Sequence, residues 1–357
     1  MTRLLPLLLL LAACVNLPEQ RQERQPTEST QPNIIVIFTD DMGYADMSSY
    51  GHPSIETPHL DRMAREGIRF TSWYSASSVC TPSRAALMTG RLPVRSGMAS
   101  NKVRVLFPRS ALGLPADELT IAEGLKSAGY ATAMVGKWHL GHHDGFWPTD
   151  HGFDEYYGIP YSNDMLRRYD EDGKQLNNYP PLPMLEGTTI VDEDPDQTQF
   201  VPAFTERAIS FIERNRENPF FLYYAHPFPH IPLFASEKYL NTSKRGLYGE
   251  VIEEIDGSVG RILDALKSYG LDDNTLLVFT SDNGPWLTFD QEGGSAGLFR
   301  NGKGTTWEGG HRVPGVMRWP AAIKPDQTRP NLRRDCRNDG RAPHRLRNGG
   351  RHRSRQS

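Results

Sequence analysis

Four short apolar runs, each followed at once by polar residues, constrain the fold of this chain most strongly. They span residues 34–38, 130–135, 220–225 and 276–279. Continuous apolar runs of this length are typical of strands that are buried on both faces, as in a parallel or mostly parallel sheet. The four runs therefore predict central strands of one sheet.

Helical patterns lie between these runs. Residues 248–266 carry a long stripe of apolar side chains at helical spacing, and residues 203–214 show a shorter one. Thr120 and Glu123 have the spacing of a capping box, which marks the beginning of another helix. Strands that alternate with helices predict an α/β sandwich, with a central, mostly parallel mixed sheet and helices on both faces. Such sheets bind ligands outside the carboxyl ends of their strands.

Acidic and amide side chains follow two of the predicted strands. Asp40 and Asp41 come after the first run, and Asp282 and Asn283 come shortly after the last. Their oxygens are hard ligands, which suit Ca²⁺ or Mg²⁺ better than Zn²⁺. The alternative is that Asp and Asn merely form turns after strands. Two such pairs at equivalent strand ends favour a metal site.

Basic and imidazole side chains follow the other two strands. Lys137 and His139 are two residues apart, so in an extended segment both can face one ligand. His226 and His230 follow the third run, and the prolines around His230 stiffen its loop. The alternatives are a solvent-exposed lysine and packed histidines. The neighbouring His142, His143 and His151 are interpreted as surface or packing residues.

Cys80 stands directly before Thr81 and Pro82. Threonine can cap a helix and proline suits the first helical position, so the thiol is expected at a helix N-terminus. Backbone N–H groups and the helix dipole favour an anion there. The alternative is a buried, inert thiol, which is common for free cysteines.

Two segments carry a resemblance to a known family. Residues 80–90, Cys-Thr-Pro-Ser-Arg-Ala-Ala-Leu-Met-Thr-Gly, resemble the signature of the type I sulfatases, and residues 136–141, Gly-Lys-Trp-His-Leu-Gly, resemble their second signature. The resemblance extends from about residue 33 to about residue 320 and is strongest to the arylsulfatase A type. It implies an alkaline-phosphatase-like fold and the hydrolysis of sulfate monoesters of aryl or carbohydrate alcohols.

The resemblance also assigns roles to residues. It implies that a formylglycine-generating enzyme oxidises Cys80 to formylglycine, whose hydrate is the nucleophile. It implies one divalent cation, Ca²⁺ or alternatively Mg²⁺, with ligands from Asp40, Asp41, Cys80, Asp282 and Asn283. Catalytic roles are implied for Cys80, Arg84, Lys137, His139, His230 and Lys303, and substrate contacts for Lys137, Ser162, His230 and Lys303. His230 is expected to act as general acid and His139 as base.

Two other functions remain open at this point. A phosphomonoester or phosphonate hydrolase of the same superfamily would use a similar site, although one metal with two lysines favours sulfate. The chain could also be an inactive, unstable truncated sulfatase, or a non-catalytic surface lipoprotein. The expected partner is a sulfated small molecule or glycan.

The amino-terminal segment is typical of an exported protein. Residues 1–14 join a short charged region to an apolar run that ends in Leu-Ala-Ala-Cys, which resembles a bacterial lipobox. Lipidation of Cys14 by the lipoprotein-processing machinery is therefore expected, with an ordinary signal peptide as the alternative. Residues 15–32 are interpreted as a disordered tether. The predicted location is periplasmic or at the cell surface, lipid-anchored to a bacterial membrane.

The carboxyl-terminal segment differs in composition from the rest. Residues 331–357 carry a formal charge of +7 and the whole chain −3, which leaves −10 for the rest. An acidic body of this kind does not predict nucleic-acid binding. The catalytic domain is assigned to residues 33–325 and an Arg-rich, disordered tail to residues 326–357. The tail is interpreted as a frameshift product in place of a small antiparallel C-terminal domain, or alternatively as a polyanion-binding tail.

Overall fold

The computed structural model describes residues 31–100, residues 104–324 and the strand Asp335–Arg337. The predicted signal segment with Cys14 and nearly all of the predicted tether lie outside the described residues. The same holds for the Arg-rich tail, apart from that strand.

A mixed sheet of nine strands runs through the described residues, in the order β2-β10-β9-β1-β8-β4-β5-β6-β7. The five strands β9, β1, β8, β4 and β5 are mutually parallel, whereas β10 and β2 on one side and β6 and β7 on the other pair antiparallel. The strands are β1 Asn33–Thr39, β2 Ile68–Phe70, β3 Ser72–Tyr74, β4 Ala131–Lys137, β5 Glu155–Ile159, β6 Pro183–Glu186, β7 Thr189–Glu193, β8 Phe220–Ala225, β9 Thr275–Ser281, β10 Gly315–Arg318 and β11 Asp335–Arg337.

The four apolar runs form β1, β4, β8 and β9, which are neighbours in the order β9-β1-β8-β4. Their side chains alternate between two buried clusters, as the period of a strand requires. Ile35 and Ile37 of β1 belong to one cluster, and Val36 and Phe38 belong to the other. The prediction of parallel strands that are buried on both faces is therefore confirmed.

Helices cover both faces of this sheet. They are α1 Pro58–Glu66, α2 Cys80–Thr89, α3 Ile121–Ser127, α4 Phe200–Arg214, α5 Leu247–Ser268 and the short α6 Glu308–His311. The first cluster packs α1, α4 and α5 against the sheet, and the second packs α2 and α3 against the opposite face. The α/β sandwich is confirmed, and so is the capping box: Thr120 Oγ1 accepts a 3.1 Å hydrogen bond from the Glu123 amide.

A second, two-stranded sheet lies outside the nine-stranded one. The strand β11 pairs in parallel with β3, with Cys336 opposite Trp73. The interpretation of residues 326–357 as a tail did not foresee this pairing. In the described parts of the chain, no helix combines the length and the apolar character that crossing a membrane requires.

Candidate active site

The carboxyl ends of β1 and β9 bring two polar pairs together. Asp40 and Asp41 directly follow β1, Asp282 and Asn283 directly follow β9, and all four side chains are buried. The Asp41 amide donates a 3.1 Å hydrogen bond to Asp282 Oδ1, and Asn283 Nδ2 donates one of 2.7 Å to Asp41 Oδ1. Asp41 has a φ of 66°, a left-handed conformation that aspartate tolerates better than most residues. The parallel register of β1 and β9 thus creates the acidic cluster.

Cys80 is the first residue of α2, and its buried Sγ lies 3.4 Å from Asp40 Oδ1. The expected cap is different, because Val79 is the N-cap residue and has no capping side-chain hydrogen bond. The Thr81 hydroxyl instead donates to the His139 carbonyl and accepts from the Leu106 amide, both at 3.1 Å. Thr81 therefore connects α2 to two site loops rather than capping the helix.

Arg84 lies one turn into α2 and bridges two of the carboxylates. Its Nε and Nη2 donate to Asp282 Oδ2 at 3.1 and 2.9 Å, and Nη2 lies 3.2 Å from Asp40 Oδ2. Its Nη1 donates to the Lys137 carbonyl at 3.0 Å. Because the guanidinium is fully buried, these bonds form a charge-assisted link between β1, β4 and β9.

Lys137 ends β4 and extends into the same cluster. Its Nζ forms an ion pair with Asp40 and donates a 2.9 Å hydrogen bond to Ser162 Oγ. The preceding Gly136 has a φ of 109°, and a Cβ at this position would lie 1.9 Å from the Ala225 carbonyl oxygen of β8. Only glycine allows this approach of the two strands, which places Lys137 in the site.

Lys303 reaches the cluster from a loop that hydrogen bonds hold in place. The Lys303 amide donates to the Pro285 carbonyl at 2.9 Å, and the Gly304 amide donates to the Ser78 carbonyl at 2.8 Å. Its Nζ donates a 2.7 Å hydrogen bond to Asp41 Oδ2. The two predicted lysines therefore stand on either side of the acidic cluster, one paired with Asp40 and the other with Asp41.

Hydrogen bonding determines the tautomer of His230. Its Nδ1 lies 2.6 Å from the Ile231 carbonyl oxygen, which can only accept, so Nδ1 carries the proton. The neutral Nε2 then accepts from Ser162 Oγ at 3.4 Å and lies 3.7 Å from Asp41 Oδ2. Burial, reinforced by Lys303, lowers the pKa of His230 to about 3. A role as general acid therefore requires an incoming anion that raises this pKa.

His139 is the opposite tautomer to His230, with the proton on Nε2. Its Nε2 donates a 2.8 Å hydrogen bond to the Leu106 carbonyl, so the lone pair is on Nδ1. Nδ1 is buried and has no hydrogen-bond partner among the residues that the structure describes. Burial and the charge of Lys137 hold the pKa of His139 well below its usual value. The Nδ1 lone pair is available for a proton, but a role as base requires a nearby negative charge that raises this pKa. The other histidines considered in the sequence analysis have partners of a different kind. His226 hydrogen-bonds Ser258, His142 packs on Tyr161 and His143, and His151 packs on Trp138.

The buried carboxyl groups have unequal pKa values. Burial raises the pKa of Asp40, but Lys137 and Arg84 outweigh it and hold the value well below the usual range. Burial raises the pKa of Asp41 despite Lys303, and burial together with the Asp40 charge raises that of Asp282 to about 7. Burial therefore disfavours the charged forms of Asp41 and Asp282 more than the nearby cations favour them.

The cluster has the donors for a further cation. Asp40, Asp41, Cys80 and His230 each offer a ligand atom, and these atoms lie within 4.8 Å of one another. Asn283 Oδ1 is buried without a partner among the described residues, and it is a hard oxygen donor. Asp282 stands just outside this group, with its carboxylate held by Arg84 and the Asp41 amide. Grouped carboxylate oxygens beside an unused amide oxygen fit a divalent cation.

The encoded thiol of Cys80 is a poor nucleophile in this place. Burial and the Asp40 charge raise the pKa of the thiol, which outweighs the lysines nearby. Thiolate rather than thiol attacks electrophiles, so unmodified Cys80 is unreactive near neutral pH.

Sequence reasoning missed one aromatic residue of the site. The Trp286 ring centroid lies 4.3 Å from Lys303 Nζ and 5.4 Å from the centroid of the His230 ring. The half-buried indole therefore limits where both side chains can move. Its only signal in the sequence is its position three residues after Asn283.

Comparisons with known proteins agree with this geometry. A family model described as Sulfatase matches residues 32–336. Human arylsulfatase A is 43% identical over 314 residues, which cover 83% of this chain and 61% of that protein. N-acetylgalactosamine-6-sulfatase of Rattus norvegicus is 44% identical over 312 residues, which cover 83% of this chain and 58% of that protein. The chain thus spans about three fifths of the length of these relatives.

A solved structure supports the same architecture. The crystal structure of Ps i-CgsB in complex with k-i-k-neocarrahexaose superposes with a TM-score of 0.76 at 33% sequence identity. The match covers 87% of this chain and 70% of that one. Together with the topology of the sheet, it confirms the expected alkaline-phosphatase-like sandwich.

Proposed function

The chain belongs to the sulfatase family, and on that premise we propose that it hydrolyses sulfate monoesters at the site around Cys80. One observation carries the proposal: Cys80 and two ammonium groups meet the same buried carboxylates, since Lys137 pairs with Asp40, Lys303 pairs with Asp41, and Cys80 Sγ lies 3.4 Å from Asp40. A sulfate ester resists attack because its oxygens repel nucleophiles. Two ammonium groups in a buried site offset that charge and position the ester.

Oxidation of Cys80 to formylglycine supplies an aldehyde whose hydrate is a far stronger nucleophile than the buried thiol. Arg84 holds the surrounding carboxylates in position through its bonds to Asp40 and Asp282. His139 accepts a proton at its free Nδ1. His230, bonded through Ser162 to Lys137, protonates the leaving alcohol at Nε2 once the substrate anion has raised its pKa.

We propose Ca²⁺ as the cation, held by Asp40, Asp41, Asp282, Asn283 and the oxidised side chain of residue 80, with Mg²⁺ as the alternative. When bound, it supplies positive charge for the sulfate oxygens and lowers the pKa of a coordinated hydroxyl. Lys137 and Lys303, now paired with Asp40 and Asp41, would then be free to turn toward the sulfate.

The first test is mass spectrometry of the peptide that contains Cys80, from protein produced with a formylglycine-generating enzyme. The expected mass is about 18 Da below that of the cysteine form. The same sample should release sulfate from an aryl sulfate, and it should release the phenol from neither the matching phosphate ester nor the matching phosphonate ester. Protein made without the oxidising enzyme is the control. Efficient release of the phenol from the phosphate or the phosphonate ester, with no sulfate release, would favour the phosphohydrolase alternative.

The second test is removal and return of the cation. Dialysis against a chelator is expected to remove most sulfatase activity, and Ca²⁺ should restore it. Because the ligand binds the folded state, Ca²⁺ at 100 times its Kd should also stabilise the protein by about 2.7 kcal/mol. Thermal unfolding measures this shift independently of turnover, with NaCl at equal ionic strength as the control. An unfolding midpoint that neither Ca²⁺ nor Mg²⁺ moves contradicts the proposed metal site.

The relatives indicate the substrate class only broadly. Arylsulfatase A and N-acetylgalactosamine-6-sulfatase match with nearly equal identity, so the similarity does not choose between an aryl and a carbohydrate ester. Because the structure of Ps i-CgsB contains a neocarrahexaose, a sulfated glycan is included in the proposal. We further propose export and a lipid anchor at Cys14, on the sequence of residues 1–14 alone.

A further inference from the structure

An open cavity of about 520 Å³ lies on the surface formed by two loops near the site. Its lining includes Arg109 and Arg167, together with Asn178 and Tyr179. None of these residues takes part in the chemistry described above. The guanidinium groups face a space large enough for part of an extended ligand.

Short chain connections place this cavity next to the reacting groups. The Leu106 carbonyl accepts from His139, and Pro108, which lines the cavity, accepts a 2.9 Å hydrogen bond from His142. Leu106 and Arg109 are three residues apart, so their Cα atoms are separated by at most about 11 Å. On the other side, Arg167 lies in the loop between β5 and β6, and Ser162 of the same loop contacts Lys137. The cavity therefore adjoins the site on the side of His139 and Ser162.

The two arginines have no carboxylate partner in the part of the chain that the structure describes. Arg109 Nη2 donates only to the Asn178 carbonyl, at 2.6 Å, and no ion pair within 4 Å involves Arg167. The acidic Asp170 in the same loop instead accepts bonds from the amides of Asp172 and Lys174. The positive charge that lines the cavity is thus available to a ligand.

A second cavity, of about 280 Å³, is also lined by arginines, but these arginines have carboxylate partners. Its arginines are neutralised by ion pairs: Arg207 with Glu186 at 2.9 Å and Arg214 with Glu155 at 2.6 Å. An arginine that lines a cavity and already has a carboxylate partner does not need an external anion. The cavity of Arg109 and Arg167 differs in that respect.

We propose that the cavity of Arg109 and Arg167 binds a second anionic group of the substrate, a sulfate or a carboxylate on a neighbouring sugar unit. The proposal rests on the proposed sulfatase function and narrows its substrate to an anionic glycan with more than one negative charge. Guanidinium groups suit both anions because they present paired N–H donors. An aryl sulfate with a single charge would leave the cavity unused.

The test compares two disaccharide substrates that share the scissile sulfate, one of which carries a second sulfate on the adjacent sugar. Arg167→Ala is expected to lower the ratio of kcat/KM for the disulfated over the monosulfated substrate about tenfold, because a charge-assisted bond is lost. Arg167→Lys should recover part of that ratio. Arg216→Ala is the matched control, since Arg216 is exposed and pairs with Glu217 at 3.4 Å. A third substrate with a carboxylate in place of the second sulfate shows which anion the cavity prefers.

An unchanged ratio in both Arg167→Ala and Arg109→Ala overturns the proposal, and so does an equal fall in Arg216→Ala. If the wild-type protein hydrolyses none of these esters, the proposed function fails. The proposal that the cavity binds an anion is then tested by ligand binding instead of turnover. Titration calorimetry of the disulfated disaccharide with the full chain should then show about tenfold weaker binding to Arg167→Ala. Equal affinity for both proteins would reject the cavity as an anion site.

Discussion

The Cys80→Ala variant is expected to lose sulfate release by about four orders of magnitude or more, as when an enzyme loses its nucleophile. The reason is chemical, because no other described side chain in the centre of the site can supply an aldehyde. The fold should persist, since only one buried sulfur atom is removed and a thiol is a weak hydrogen-bond donor to Asp40. Initial rates on an aryl sulfate, together with thermal unfolding, measure both parts of the expectation.

A substitution at a nearby buried position provides the control for Cys80→Ala. Thr280→Val removes a buried hydroxyl that has no hydrogen-bond partner among the described residues, two positions before Asp282. Its rate should stay within about twofold of the wild type, since surface and unpaired groups contribute little.

The Cys80→Ser variant should carry a stable sulfate ester and turn over no further, because serine lacks the second hydroxyl that expels sulfate. Full turnover by Cys80→Ser in a host without a serine-oxidising enzyme would refute the role of Cys80.

The Arg84→Met variant is expected to lose about 3–5 kcal/mol of unfolding free energy, because it leaves buried carboxylates without their shared partner. Arg84 is fully buried and contacts both Asp282 and Asp40 within 3.2 Å. Methionine fills most of the space but offers no positive charge. Urea unfolding at neutral pH measures the loss as a shift of the midpoint at constant slope.

An exposed arginine gives the matched control for this variant. Arg207 pairs with Glu186 at the surface, where an ion pair contributes about 1 kcal/mol or less, so Arg207→Met should be nearly neutral. Adding Asp282→Asn to Arg84→Met should recover part of the loss, because one of the uncompensated charges is removed. Equal stability of Arg84→Met and the wild type would show that Arg84 does not hold the cluster together.

Much of the fold follows from local patterns. Apolar runs identify β1, β4, β8 and β9 because a strand buried on both faces has no polar position to interrupt it. The Thr120 capping box was readable because its two hydrogen bonds join residues three apart. The strand order was not readable in this way, since the pairing of β1 with β8 and β9 joins residues about 190 and 240 positions apart.

The same distinction between local and long-range information applies to the candidate site. The residue types at the strand ends indicated carboxylates, lysines and imidazoles, and the family resemblance named their roles. The error concerned Thr81, whose hydroxyl has a helix-capping pattern in sequence but finds partners on Leu106 and His139 instead. Trp286 was missed because an aromatic residue in a loop has no distinctive spacing.

By itself, the sequence determined that this chain forms an α/β sandwich and that its chemical residues follow buried strands. Those properties depend on neighbours along the chain, through side-chain period and turn chemistry. Only the tertiary structure decided that Arg84 joins Asp40 to Asp282, which nitrogen of His139 and His230 is protonated, and that Arg167 lines a cavity without a carboxylate partner among the described residues. Burial and charge pairing depend on distances between remote segments, and these distances exist only once the sheet has assembled.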